Sequence, residues 1–107
     1  MKTITTKDEF TEKDWEQYID NVEKDVLVAE LKAEGYEIEE EGMFISGFWN
    51  VILKRGDEWV ELSCSAAEQD EVDNGTIAPE DASWWVELIV VWDEKDREGT
   101  ERTYPEE

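Results

Sequence analysis

The sequence predicts an α+β fold, in which an N-terminal helix packs on one face of a small antiparallel sheet of about four strands. Three observations support this prediction. Apolar residues recur at helical spacing in the first third of the chain, and later segments alternate between polar and apolar residues. The segment from Trp84 to Trp92 is apolar except for Glu87, as in a central strand that is buried on nearly both faces. With 107 residues in total, we expect one domain over residues 1–107.

The helix is predicted over residues 12–34. Thr11, followed three residues later by Asp14, is typical of a helix start, and Gly35 supplies a stop. The apolar residues from the helix start onward lie on one stripe: Trp15, Tyr18, Ile19, Val22, Val26, Ala29 and Ala33. A break near Asp20 would turn inward three apolar residues that lie off this stripe, Leu27, Val28 and Leu31.

Three strands are predicted before residue 67. Residues 36–41 alternate at period two, and Gly42 marks the turn after them. Residues 43–54 form a longer strand, in which Gly47 indicates a bulge or a close backbone approach. A hairpin turn at residues 54–57 leads into a return strand over residues 58–66.

Two segments outside these strands are rich in charge. Residues 67–83 form a long acidic loop that carries six carboxylates and no basic residue. Connections of this length are often functional or contain a short helix, and Pro79 could begin one. The charged C-terminal tail, residues 93–107, contains a candidate edge strand over residues 100–104.

One helix can cover only one face of the sheet. We expect six residues to face the helix: Val60, Leu62, Trp84, Val86, Leu88 and Val90. The opposite face would then carry Phe44, Phe48, Ile52, Trp59, Trp85, Ile89 and Val91. Monomers rarely leave such a large apolar patch open, so the loop and tail, a homodimer or a partner would cover it. The candidate apolar interface consists of Phe44, Phe48, Trp59 and Trp85.

The chain lacks the residues on which most enzyme sites depend. It contains no His, which excludes Ser-His-Asp, Cys-His and His-based zinc chemistry, and its glycines are too scattered to form a phosphate-binding loop. Cys64 is the only cysteine and is expected to be a small core residue. Residues 70–81 resemble a calcium loop only in part, since Val72 occupies a ligand position. We therefore expect no catalytic residues, no metal and no cofactor.

The charge is the most unusual property of the chain. It has 31 acidic and 10 basic residues, a formal net charge of -21. Such a surface repels nucleic acid and anionic membranes, and it attracts basic protein grooves. Three acidic rows are candidate contact sites: the loop row Glu68, Asp70, Glu71 and Asp73, the strand row Glu37, Glu39 and Glu41, and the helix row Glu12, Glu16, Asp20 and Glu23. A solvated helix face would also explain the last row.

The leading hypothesis is a non-catalytic inhibitor that mimics the charge of nucleic acid and occupies the basic groove of a DNA- or RNA-handling protein. In size and composition the chain resembles the small acidic inhibitors that phages direct against restriction or CRISPR nucleases. Two alternatives remain open: an immunity protein or antitoxin that neutralises a cationic nuclease toxin, and a salt-adapted domain with no link to nucleic acids. The single cysteine and the absence of an apolar run of roughly 20 residues predict a cytoplasmic protein, in a bacterium or a phage-infected host.

Overall fold

A computed structural model describes residues 3–7, 9–45 and 47–105, excluding the side chains of Phe44 and Ile45. Within these residues the helices are α1 (Glu12–Glu16), α2 (Lys24–Ala33), α3 (Gln69–Asp73) and α4 (Arg97–Thr100). The strands are β1 (Glu37–Ile45), β2 (Phe48–Arg55), β3 (Glu58–Ala66), β4 (Trp84–Asp93) and β5 (Arg102–Tyr104). The predicted α+β class is confirmed, with five strands in place of about four, because the candidate edge strand in the tail forms β5.

The sheet is an antiparallel meander in the order β1-β2-β3-β4-β5. The central strand is therefore β3, and the apolar segment Trp84 to Trp92 lies one strand from the edge. The long apolar run indicated that β4 is well buried, but burial does not specify a strand's place in the sheet.

The prediction of one helix over residues 12–34 is wrong, although the break lies where it was expected. The α1 helix ends at Glu16, and α2 begins only at Lys24. Between them Asp20 adopts a left-handed conformation, with φ of 59°. The backbone N–H of Asp20 donates to the Val86 carbonyl at 2.8 Å, which ties the turn to β4. The break turns Leu27 and Leu31 into the core, where both are fully buried.

The prediction of one strand over residues 43–54 is also wrong, because a turn near Gly47 separates β1 from β2. Gly47 has φ of 85°. Gly42, predicted to mark a turn, lies inside β1 with φ of 152°. Both glycines adopt backbone conformations that other residues rarely reach, and the sequence does not distinguish a glycine at a turn from one inside a strand.

A β-bulge changes the phase of β4. Ser63 pairs with Leu88 whereas Cys64 pairs with Val86, so Glu87 is an extra residue on β4. Because successive side chains alternate between faces, the bulge reverses the faces that the residues after it occupy. The predicted faces of Leu88, Ile89, Val90 and Val91 are therefore wrong: Ile89 and Val91 are buried under the helices, and Leu88 and Val90 lie on the other face.

The core lies between the sheet and the helices. Its aromatic residues include Phe10 and Trp15, whose rings meet edge to face at 4.9 Å, and Tyr104, which stacks on Trp15. Cys64 is fully buried in this cluster, and burial raises the pKa of its thiol to about 12. The thiol is thus protonated at neutral pH, as expected of a small core residue.

Candidate anionic interface

The sheet face away from α1 and α2, called here the open face, carries three rows of residues that the strand register aligns. One row contains Glu37, Lys54, Trp59 and Trp92. The next contains Glu40, Ile52, Glu61, Val90 and Thr103. The third contains Gly42, Asn50, Ser63 and Leu88. The open face is therefore a mixture of apolar and acidic residues, and it does not need the complete cover that a purely apolar face would require.

The tail covers one end of the open face. Trp59 stacks on Trp92 with 5.8 Å between ring centroids, and the Arg97 guanidinium of α4 lies 4.1 Å from the Trp92 ring. Lys54 lies 4.9 Å from the Trp59 ring and forms an ion pair with Glu94 at 3.1 Å. Trp59, a predicted interface residue, is therefore half-buried by contacts within the chain.

The other end of the open face is less covered. Phe48 is 39% exposed, and Met43 in the same hairpin is 37% exposed. Trp85 is half-buried opposite Ser65, and Phe44 is a predicted interface residue whose side chain lies outside the described residues. Of the three predicted apolar residues whose side chains are described, Phe48 is the most accessible to a partner.

The acidic loop places its carboxylates beside this exposed end. Its residues 69–73 form α3, in which Val72 is buried while Asp70, Glu71 and Asp73 are exposed, as is Glu68 just before the helix. A side-chain carbon built on Gly47 would lie 3.4 Å from Gln69 Nε2 and 3.6 Å from Asp73 Oδ1, so α3 packs against the β1–β2 turn. The structure brings together the four predicted loop acids, and none of them pairs with a basic residue in the described part of the chain.

The predicted strand row is divided by a second irregularity. The register passes from Ile38 opposite Leu53 to Glu40 opposite Ile52, so Glu39 is an extra residue in β1. Glu37 and Glu40 lie on the open face, whereas Glu41 is opposite the inward residue Val51 and accepts a hydrogen bond from Trp49 Nε1 at 3.3 Å. The prediction that Glu37, Glu39 and Glu41 form one row is wrong, because the bulge changes their phase.

The predicted helix row does not form either. Glu12 and Glu16 lie on α1, Asp20 lies in the turn after it, and Glu23 forms an isolated bridge with Trp85 just before α2. Since α1 and α2 are separate, these four residues do not share one side of a continuous helix.

Three acidic residues that the sequence analysis did not select lie on or beside the open face: Glu40, Glu61 and Glu87. The alternation of β3 places Glu61 on this face, whereas the positions of Glu40 and Glu87 result from the two bulges. The described part of the chain contains five ion pairs, which engage Asp25, Asp57, Glu58, Glu94 and Glu101. Most carboxylates of the described residues therefore form no ion pair with another described residue.

The partial calcium pattern does not form a loop of the required shape, because residues 70–73 belong to α3 and Val72 is buried. In the described ranges no three His, Cys, Asp or Glu side chains converge as a metal site would require. No helix there has both the length and the apolar composition needed to cross a membrane. No protein-family profile matches the chain, and no curated protein or solved structure is significantly similar to it.

Proposed function

We propose that this protein is a non-catalytic inhibitor that mimics the charge of nucleic acid and binds the basic groove of a DNA- or RNA-handling protein, such as a restriction or CRISPR nuclease. One observation carries the proposal. The net charge of -21 is distributed over a molecule 42 Å long, or one charge per about 2 Å of its long axis. Duplex DNA carries one charge per about 1.7 Å of its axis, so the two linear charge densities are close.

The positions of the acids support the same proposal. Glu37, Glu40 and Glu61 are attached to a hydrogen-bonded sheet, and the α3 acids are attached to a helix that Val72 anchors in the core. Charges on rigid elements lose little conformational entropy when a partner binds them. A disordered acidic tail of equal charge would have to be ordered first.

The partner is expected to carry Lys and Arg at positions that normally contact phosphates. Such an interface forms quickly and weakens steeply as salt increases. We place this interaction in the cytosol of a bacterium or a phage-infected host, where the lone thiol, Cys64, would stay reduced.

The test is affinity capture on the immobilised protein from cell lysate at low ionic strength, followed by elution with duplex DNA. A captured nuclease that DNA displaces, and whose activity the free protein inhibits, is the expected result. Capture of a nuclease that DNA does not displace would contradict charge mimicry. If the nuclease is a toxin of the same source organism, the function is that of an immunity protein.

A further inference from the structure

A cavity of about 450 Å³ opens on the open face beside the β4 bulge. Four apolar or partly apolar residues form its walls: Ile19, Phe48, Leu88 and Pro105. Asp20 and Glu87 bring two carboxylates to it, and Ser63 brings a hydroxyl. No basic residue lines it among those that the structure describes.

The backbone fixes the places from which Asp20 and Glu87 extend toward the cavity. Asp20 is the non-glycine residue with φ of 59°, and its N–H donates to the carbonyl of Val86, the residue immediately before Glu87. Glu87 is the extra residue of the bulge. Neither side chain forms an ion pair or hydrogen bond within the described ranges, so both remain available to a ligand.

A buried acceptor without a donor lies in the same part of the face. Asn50 is 2% exposed, and its Oδ1 accepts no hydrogen bond from the described residues. Asn50 follows Phe48 by two residues on β2 and is opposite Ser63 on β3, and both of these neighbours line the cavity. Asn50 itself does not line the cavity, and a buried acceptor of this kind lowers the stability of the free protein.

We propose that the cavity receives an arginine side chain of the basic partner. Its two carboxylates and the Ser63 hydroxyl oxygen are acceptors, so a matching ligand must be cationic and rich in donors. A guanidinium has five N–H donors and no acceptor, whereas an ammonium has three. The apolar walls suit the aliphatic stem of arginine, and the Phe48 ring offers a surface on which a guanidinium can stack. That this arginine comes from a nucleic-acid-binding protein rests on the proposed function.

The test uses the full chain with isotope labels and the capped peptide acetyl-Gly-Arg-Gly-amide as a probe at low ionic strength. We expect saturable NMR shifts at Leu88, Phe48 and Ser63. The same peptide with citrulline, which is uncharged, should give no saturable shift. Asp20→Asn combined with Glu87→Gln should weaken arginine-peptide binding at least about tenfold, because the guanidinium loses both of its anionic partners. Asn tolerates the left-handed conformation at position 20, so this variant is expected to fold.

The matched control is Glu80→Gln combined with Glu98→Gln, which removes the same charge at two exposed positions outside the cavity. Binding should be nearly unchanged in the control. Equal loss in both variants, or shifts spread over the whole acidic surface, would overturn the proposal. The peptide test does not require the partner. If the arginine peptide does not bind while nuclease inhibition is intact, only the arginine site is refuted. Saturable binding with no nuclease captured would refute only the inhibitor function.

Discussion

Glu58 is the carboxylate that connects the N-terminal segment to the sheet. It accepts hydrogen bonds from the Thr5 hydroxyl and the Thr6 backbone N–H, both at 2.7 Å, and pairs with Arg55 at 2.9 Å. Burial alone would raise the pKa of Glu58, but these hydrogen bonds and the Arg55 charge lower it to about 2. In a chain with 31 acids, this one has a structural role that its sequence context does not reveal.

Substitution of Glu58 by Gln is expected to destabilise the protein by about 2 kcal/mol at pH 7, because the ionised carboxylate is stabilised only in the folded state. A lowered folded-state pKa contributes stability above the unfolded value of about 4.5, and this contribution is lost as pH falls toward about 2. Urea unfolding of both proteins between pH 7 and pH 2 measures the difference. Glu61→Gln is the control on the same strand, and a Glu58→Gln difference independent of pH would contradict the prediction.

The substitution Asn50→Val tests whether the buried Asn50 oxygen lacks a hydrogen-bond donor. Removing a buried oxygen that has no donor should raise the free energy of unfolding by about 1 kcal/mol, a Tm increase of about 4 °C. Thermal unfolding of the free protein measures this, with Ser65→Val as the control on a half-buried position of the same face. A lower Tm for Asn50→Val would indicate that the Asn50 oxygen has a partner and would contradict the prediction.

At the scale of elements, three features were predictable because turn residues and strict alternation define them locally. They are the hairpin turn at residues 54–57, the return strand 58–66 and the short 3-10 helix Pro79–Asp81. The two bulges were not predictable. Glu39 lies in a run of three glutamates, and Glu87 lies in an apolar run. A one-residue shift in strand register therefore leaves no visible sign in the sequence around either residue. For this reason the predicted strand row and the predicted faces of the residues after Glu87 were wrong.

The α3 helix permits a test of which acidic element binds the partner. Reversal of Glu68, Asp70, Glu71 and Asp73 to Lys changes the net charge from -21 to about -13 while the buried Val72 is retained. If α3 contacts a basic groove, inhibition of the captured nuclease should weaken on the order of a hundredfold at low salt.

The matched control reverses four exposed acids elsewhere to Lys, namely Glu9, Glu30, Glu80 and Glu98. It has the same net charge, so it should lose much less inhibition. Equal losses would show that total charge, rather than α3, determines binding. Circular dichroism of both variants would confirm that each is folded.

At the scale of the molecule, repulsion between the many carboxylates should lower the stability of the folded state. Only five ion pairs offset this repulsion in the described part of the chain. We therefore expect the Tm to rise with added KCl, because salt screens interactions between exposed charges. The -13 variants should show a smaller rise. A Tm that does not change with salt would mean that the charges are locally compensated.

The salt dependence of inhibition tests charge mimicry most directly. The affinity of the protein for the captured nuclease should fall on the order of a thousandfold between about 50 and 200 mM salt, as binding to duplex DNA does, and DNA should compete for the same groove. An affinity that is constant over this range, with no competition by DNA, would contradict the proposed function.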